Sequence, residues 1–189
     1  MMTQKELIKK AKLAYQIAEE HGWHEQKRTF HDLIALINGE LGEAVEELRE
    51  DPDPFKIRTA ADGKPEGFTV EIADFAIRIF DMIGYFSESG DQPFEILAKG
   101  YEETRERVAR EAEVTLPTTT FVCVIGHNLF TAWQDFQTGR ATEGVFMLGV
   151  ILGIIEDWFF RNSQSLSGII TVKMEYNKTR PYRHGGKHL

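Results

Sequence analysis

Two acidic pairs, Glu40-Leu-Gly-Glu43 and Glu71-Ile-Ala-Asp74, are the residues of this chain best suited to chemistry. Each lies in a segment of helical apolar periodicity, and residues three apart share one helical face. Two such helices packed together gather four carboxylates in a small volume. Like charges at that density repel, and burying them is costly unless a cation neutralises them. Hard oxygen donors of this kind suit Mg²⁺ or Mn²⁺. The spacing predicts a divalent-metal site built from Glu40, Glu43, Glu71 and Asp74.

A lone Glu-x-x-Glu carries little information, because Glu43/Glu46, Glu47/Glu50 and Glu103/Glu106 follow the same spacing on what read as solvated faces. The two chosen pairs differ in being interleaved with residues that pack inward. These are Leu41, Ala44 and Val45 in one case and Ile72, Ala73 and Phe75 in the other.

A second constellation stands near the C-terminus. Lys173, Asn177 and Arg180 follow i, i+4, i+7 spacing and share a face until Pro181 ends the helix; Arg183, His184 and Lys187 follow beside Gly185-Gly186. A cation–amide–cation stripe is a reasonable grip for phosphate, Arg offering a planar fork and Lys a point charge. The plainer reading is a solvated chain end. Trp23 is a candidate to stack on a base, although an aromatic at a helix joint more often packs. His31 reads as a surface or capping histidine. Asp81, seven residues beyond Asp74, shares its face and either supports the metal or pairs with Arg78 or Lys99. The chain has no phosphate-binding Gly-x-x-x-x-Gly-Lys loop, nucleophile elbow or His-Glu-x-x-His.

The elements that position these groups read as helices throughout, so the expected class is all-α. Apolar periodicity places helices near Thr3–Glu20, Thr29–Arg49, Phe68–Ser87, Pro93–Glu113, Thr118–Gln137, Thr142–Asn162 and Leu166–Thr179. The stripe of the second helix runs through Leu33, Leu36, Ile37, Leu41, Ala44, Val45 and Leu48. Asp51-Pro-Asp-Pro54 stops that helix, and the stretch from Phe55 to Gly67 reads as a loop.

The joint at Pro117 separates two halves, 1–116 and 117–189, which can also form one domain. Tyr101-Glu-Glu-Thr-Arg105 ends one half as Tyr176-Asn-Lys-Thr-Arg180 ends the other. Working back, Ile79-Phe-Asp81 falls on Ile154-Ile-Glu156, and Glu71 and Asp74 fall on Phe146 and Gly149. Glu40 and Glu43 fall on Asn128 and Thr131. The second half thus reads as a degenerate copy whose acidic positions have become neutral, making the chain a single-chain pseudo-dimer.

At 189 residues, 42% hydrophobic and with 13 Phe, the chain has ample material for a helical core. A net charge of −8 argues against general nucleic-acid binding. The single Cys123, set in an apolar run, excludes an internal disulfide and reads as core packing. The N-terminus is polar, with no signal peptide beginning there. The longest apolar stretch, Gly144 to Ile155, is too short to span a bilayer. These features set the expectation of a cytoplasmic protein, with a true homodimer on the apolar second-half helix left open.

Taken together, Ala35-Leu-Ile-Asn-Gly-Glu-Leu-Gly-Glu-Ala-Val-Glu-Glu-Leu-Arg49, Val70-Glu-Ile-Ala-Asp-Phe-Ala-Ile-Arg-Ile79 and the block from Lys173 to Lys187 resemble the all-α nucleoside triphosphate pyrophosphohydrolases. These are the MazG-like proteins and their relatives, the dimeric dUTPases. The hallmark is Glu-x-x-Glu, a variable gap, then Glu-x-x-Asp, and the three blocks occur in the family's order.

The resemblance implies that Glu40, Glu43, Glu71 and Asp74 bind Mg²⁺, and that Lys173, Asn177 and Arg180, with Arg183 and Lys187, hold a triphosphate. It further implies hydrolysis of a nucleoside triphosphate, a deoxynucleotide by preference, to the monophosphate and pyrophosphate. Glu43 is the candidate base, with Glu46 or Glu47 behind it, and Trp23 is the candidate wall of the base pocket. In compact members the Lys…Asn…Arg block follows Glu-x-x-Asp closely. Here that place holds Lys99-Gly-Tyr-Glu-Glu-Thr-Arg105 without the Asn, which favours the duplicated arrangement and one composite site per chain. The rival expectations are a catalytically silent helical module that binds metal or nucleotide, and a plain helical interaction protein.

Overall fold

Helix ends in this chain are set by capping chemistry. Thr3 and Thr29 each accept from the backbone N–H three residues on, while Glu6 and Asp32 reach back to the Thr backbone, closing two capping boxes. They open α1 (Gln4–Glu20) and α2 (Phe30–Glu50). α1 closes at Gly22, whose positive φ of 77° suits glycine. The remaining helices are α3 (Phe68–Phe86), α4 (Gln92–Val108), α5 (Thr118–Gln137), α6 (Ala141–Arg161) and α7 (Leu166–Thr179). The computed structural model describes residues 1–87, 90–110 and 115–183. Among these residues the protein is an all-α bundle, and no helix is long and apolar enough to cross a membrane.

The segment between α2 and α3 is more ordered than a loop. Arg58–Thr59 pairs antiparallel with Pro65–Glu66, so β1 and β2 form a small hairpin. Strands of two residues are too short to write a period-two pattern into the sequence. Arg58 anchors the hairpin to α2 through Glu47 Oε2 at 2.7 Å. Tyr176 of α7 donates its hydroxyl to Asp62 Oδ2 at 3.2 Å. Gly67 turns the chain into α3 with φ 132°, where a side chain would overlap Lys56 O.

α3 is the central helix. Nearly every residue from Phe68 to Gly84 is buried, Asp74 and Arg78 being partly exposed exceptions. A helix buried on nearly every side belongs in the middle of a bundle. α1, α2 and α7 pack around it, and α4 and α6 lie against one another as the most extensive helix pair. One continuous core joins Ile37, Phe75 and Ile79 to Phe121, Ile125, Leu148 and Ile155 across the Pro117 joint. Trp158 Nε1 pins that joint by donating to Leu116 O at 3.0 Å.

The packing follows the register of the sequence repeat, in which α2, α3 and α4 correspond to α5, α6 and α7. α2 packs on α3 as α5 packs on α6, and α3 packs on α7 as α6 packs on α4. The two halves then diverge at one place. A Cβ on Gly149, the counterpart of Asp74, would overlap Leu97 O, and one on Gly100 would overlap Phe146 O. The second half brings two helix backbones together where the first half keeps a cleft.

Two expected core positions are corrected. Val45 is 38% exposed, because α2 turns Leu33, Ile37, Leu41 and Ala44 inward and Val45 falls one position past that stripe. Cys123 is exposed, because α5 buries Phe121, Ile125, Leu129 and Ala132 on its other face.

Candidate active site

A cleft of about 390 Å³ lies between α1, α2, α3, the hairpin and α7. Its polar wall holds Glu40, Glu43, Asp62, Lys64, Asp74, Arg78 and Asp81, and Asn177 and Arg180 enter from α7. Its apolar wall includes Ile17, Trp23, Leu36 and Ile77. The Glu40/Glu43 pair, Asp74 of the second pair and part of the C-terminal block therefore line one cavity.

Glu40, Glu43 and Glu71 each bring a carboxylate oxygen within 4.8 Å of the others. Glu40 and Glu71 are buried, whereas Glu43 is exposed at the rim. Oxygens sharing one Mg²⁺ at about 2.1 Å lie roughly 3 to 4 Å apart, so small side-chain adjustments suffice to fit the ion. Glu71 Oε2 is also buried without a hydrogen-bond partner among the described residues, as a donor oxygen awaiting a cation would be. The donor set fits a hard divalent metal.

Asp74 stands outside that trio. Its Oδ2 lies 2.7 Å from Lys173 Nζ, and Lys173 is only 1% exposed. A buried ammonium requires a counter-charge, and Asp74 is the carboxylate facing α7. The predicted phosphate-gripping lysine is thus seated on a predicted metal ligand.

Electrostatics in the cleft follow from crowding and burial. Burial pushes Glu71 up to about 7, Asp74 and Glu40 adding to the effect while Lys173 and Lys64 oppose it. Burial likewise pushes Asp74 up to about 6, against the pull of Lys173. Lys64 is held above its usual range despite partial burial, since Glu71, Glu66, Glu43 and Asp74 surround it. Arg78 Nε donates to Glu40 Oε1 at 2.8 Å, and that carboxylate keeps the guanidinium firmly charged despite burial.

The remaining expected residues divide. Asn177 and Arg180 line the cleft, and Asn177 Oδ1 is buried without a partner among the described residues. The Arg180 guanidinium lies over the Tyr176 ring at 5.9 Å. Arg183 is elsewhere: its Nε donates to Gly22 O at 3.2 Å and its Nη2 meets Glu25 at 3.1 Å. It ties the segment after α7 to the α1–α2 joint instead of joining the phosphate-gripping set. His184 and Lys187 lie outside the described residues. Trp23 both packs and lines the cleft, with Arg28 over its ring at 5.7 Å. His31 sits on the surface and accepts from Trp133 Nε1 at 3.3 Å.

Three polar residues of the cleft were not foreseen as members: Lys64, Asp62 and Arg78. Asp81 pairs with neither Arg78 nor Lys99 but with His24, Nε2 to Oδ1 at 2.7 Å. Each depends on an approach between distant segments that no local spacing encodes. The only available signal was Lys64 and Asp62 in a Gly-containing turn directly before Glu71. Comparison with protein-family models, with curated proteins and with solved structures returns no match for this chain.

Proposed function

We propose that this chain is a MazG-like, Mg²⁺-dependent nucleoside triphosphate pyrophosphohydrolase, with a deoxynucleotide as the preferred substrate. The observation that carries the reading is the Glu40, Glu43 and Glu71 cluster at a cleft that Glu40 and Glu43 line together with Asn177, Arg180 and apolar side chains. A triphosphate and a nucleoside need those two environments side by side. The packing exchange between halves supports a duplicated chain with one composite site, the second copy being closed by Gly149 and Gly100.

In the reaction, a water oxygen attacks the α-phosphorus, the bond from that phosphorus to the β-bridging oxygen breaks, and monophosphate and pyrophosphate separate. Glu40, Glu43 and Glu71 would hold Mg²⁺, which would supply charge neutralisation on the phosphates and a more acidic water. Glu43 takes the proton of the attacking water. Its rivals are already engaged, Glu47 by Arg58 at 2.7 Å and Glu46 by Arg49 at 2.9 Å. Arg180 and Asn177 orient the triphosphate, and Arg180 offsets charge on the departing pyrophosphate, while Lys173, buried on Asp74, holds α7 against α3. Arg78 and Lys64 fix the carboxylates in place.

The test is a screen of the common NTPs and dNTPs with Mg²⁺, detecting pyrophosphate, on the wild type and on Asn177→Ala and Arg180→Ala. Release by the wild type, reduced at least tenfold in both variants, is the expected result. Phosphate binding without pyrophosphate release would favour a silent nucleotide-binding module instead.

A further inference from the structure

Asp81 is a carboxylate of the cleft that the proposed hydrolysis does not use. It stands seven residues beyond Asp74 on α3, about 10 Å along the helix from the charged end. Ile17, Trp23, Leu36 and Ile77 line the same cavity as Asp81.

Asp81 is held rigidly. His24 Nε2 meets Asp81 Oδ1 at 2.7 Å, and the two side chains are 6% and 8% exposed. The imidazole is itself fixed between Tyr15, stacked at 4.9 Å between ring centres, and Tyr85 at 5.1 Å. His24 Nδ1 is buried without a hydrogen-bond partner among the described residues. A neutral ring donating from Nε2 fits this arrangement, because a second N–H at Nδ1 would be left unsatisfied. Asp81 Oδ2 has no hydrogen-bond partner among the described residues, although Asp81 lines the cavity. A carboxylate oxygen facing the cavity takes a hydrogen-bond donor, and a ligand group that only accepts is repelled there.

We propose that Asp81, positioned by His24, reads the nucleoside by accepting a hydrogen bond through Oδ2 from a donor group on it. The inference rests on the proposed nucleotide reading of the cleft. The donor has two sources, a sugar hydroxyl or a base N–H, and both present the same chemistry to a carboxylate. A site that hydrogen-bonds a substrate group discriminates far more sharply against analogues lacking it than apolar packing does.

The experiment takes the dNTP giving the most pyrophosphate and compares it with its 2′,3′-dideoxy counterpart and with its N-methylated base counterpart. kcat/KM is measured for each on the wild type, Asp81→Asn and Asp81→Ala. In the wild type one of the two analogues is disfavoured by about 100-fold, mainly through KM, and which one identifies the donor. In Asp81→Asn the amide oxygen keeps His24 and turns an NH₂ into the cavity, so the same discrimination collapses to within a few-fold. His24→Gln weakens it partially with the melting temperature retained, and serves as the test if both Asp81 variants fail to fold. Discrimination unchanged in a folded Asp81 variant, with robust pyrophosphate release, overturns this assignment alone. Failure of the wild type to bind or cleave any nucleotide overturns the nucleotide reading, and this assignment with it.

Discussion

Lys173 Nζ lies 2.7 Å from Asp74 Oδ2, so the last helix of the chain is joined to its central helix by a buried charge pair at the edge of the carboxylate cluster. The pair crosses from one half of the chain to the other. In the repeat register Asp74 corresponds to Gly149 and Lys173 to Ala98, both uncharged. Charge therefore holds α7 on α3 where direct backbone packing holds α4 on α6.

Removing one partner of such a pair leaves the other buried and unpaired, at a cost of roughly 3–5 kcal/mol. Lys173→Met is expected to lower the melting temperature by about 10 °C in EDTA, using roughly 2–4 °C per kcal/mol at this chain length. The double variant Lys173→Met/Asp74→Leu should recover much of that loss, since an apolar pair of similar volume is often as stable as the ion pair. Differential scanning calorimetry of the three proteins decides it. A single variant melting with the wild type would mean that the pair contributes nothing.

Protonation should make the same cluster sensitive to pH. Glu71 titrates near 7 in the folded chain against an ordinary 4.5, so the native state holds this proton more tightly than the unfolded state does. The resulting stabilisation is complete below about pH 4.5 and is lost as pH rises through about 7. Glu71→Gln removes this dependence. In EDTA, the stability of the wild type relative to Glu71→Gln is therefore expected to fall between pH 5 and pH 8. On the proposed Mg²⁺ reading the ion competes with the proton, so its affinity is expected to rise across the same range. Urea denaturation at four pH values, with and without Mg²⁺, reads both effects. A flat difference between the proteins, or Mg²⁺ binding independent of pH, would contradict it.

Glu43 separates chemistry from folding, because it is exposed while its two partners are buried. Glu43→Gln is expected to leave the melting temperature within about 2 °C, as surface substitutions usually do. Loss of a general base lowers kcat by roughly 10²–10⁴-fold. Pyrophosphate release by the variant at saturating substrate checks this, and activity within threefold of wild type would remove Glu43 from the reaction.

How much of this was written in the sequence depends on the range of each interaction. Helix ends set by Thr3, Thr29, Pro117 and Asp51-Pro-Asp-Pro54 were legible, because caps and breakers act within a turn of chain. The acidic pairs were legible for the same reason: i, i+3 spacing on an amphipathic helix fixes which way Glu40 and Glu71 face. The hairpin was not, since Arg58–Thr59 and Pro65–Glu66 are held by pairing rather than by propensity. Nor was Asp74 with Lys173, or Asp81 with His24, where each choice of partner is made by tertiary packing among several carboxylates and cations of similar local context. Nor was the place of Arg183, which beyond Pro181 is set by contacts with Gly22 and Glu25 at the distant α1–α2 joint.

The divergence between the halves makes a final prediction about two glycines. Gly149 lies in the middle of α6, and a methyl group there would overlap the Leu97 carbonyl oxygen and crowd the Tyr101 amide nitrogen, both of them backbone atoms that cannot turn aside. Gly42 lies in the middle of α2 with nothing within 4 Å of a Cβ position. Gly149→Ala is therefore expected to destabilise by about 3 kcal/mol through overpacking of α4 on α6. Gly42→Ala should instead stabilise by up to about 1 kcal/mol, since alanine is the better helix former and meets no obstacle. Urea denaturation of the two variants at one pH gives opposite shifts in midpoint if α6 and α4 meet at backbone distance. A Gly149→Ala protein as stable as the wild type would mean that the two helices stand further apart, leaving room in the second half for a cleft like the first.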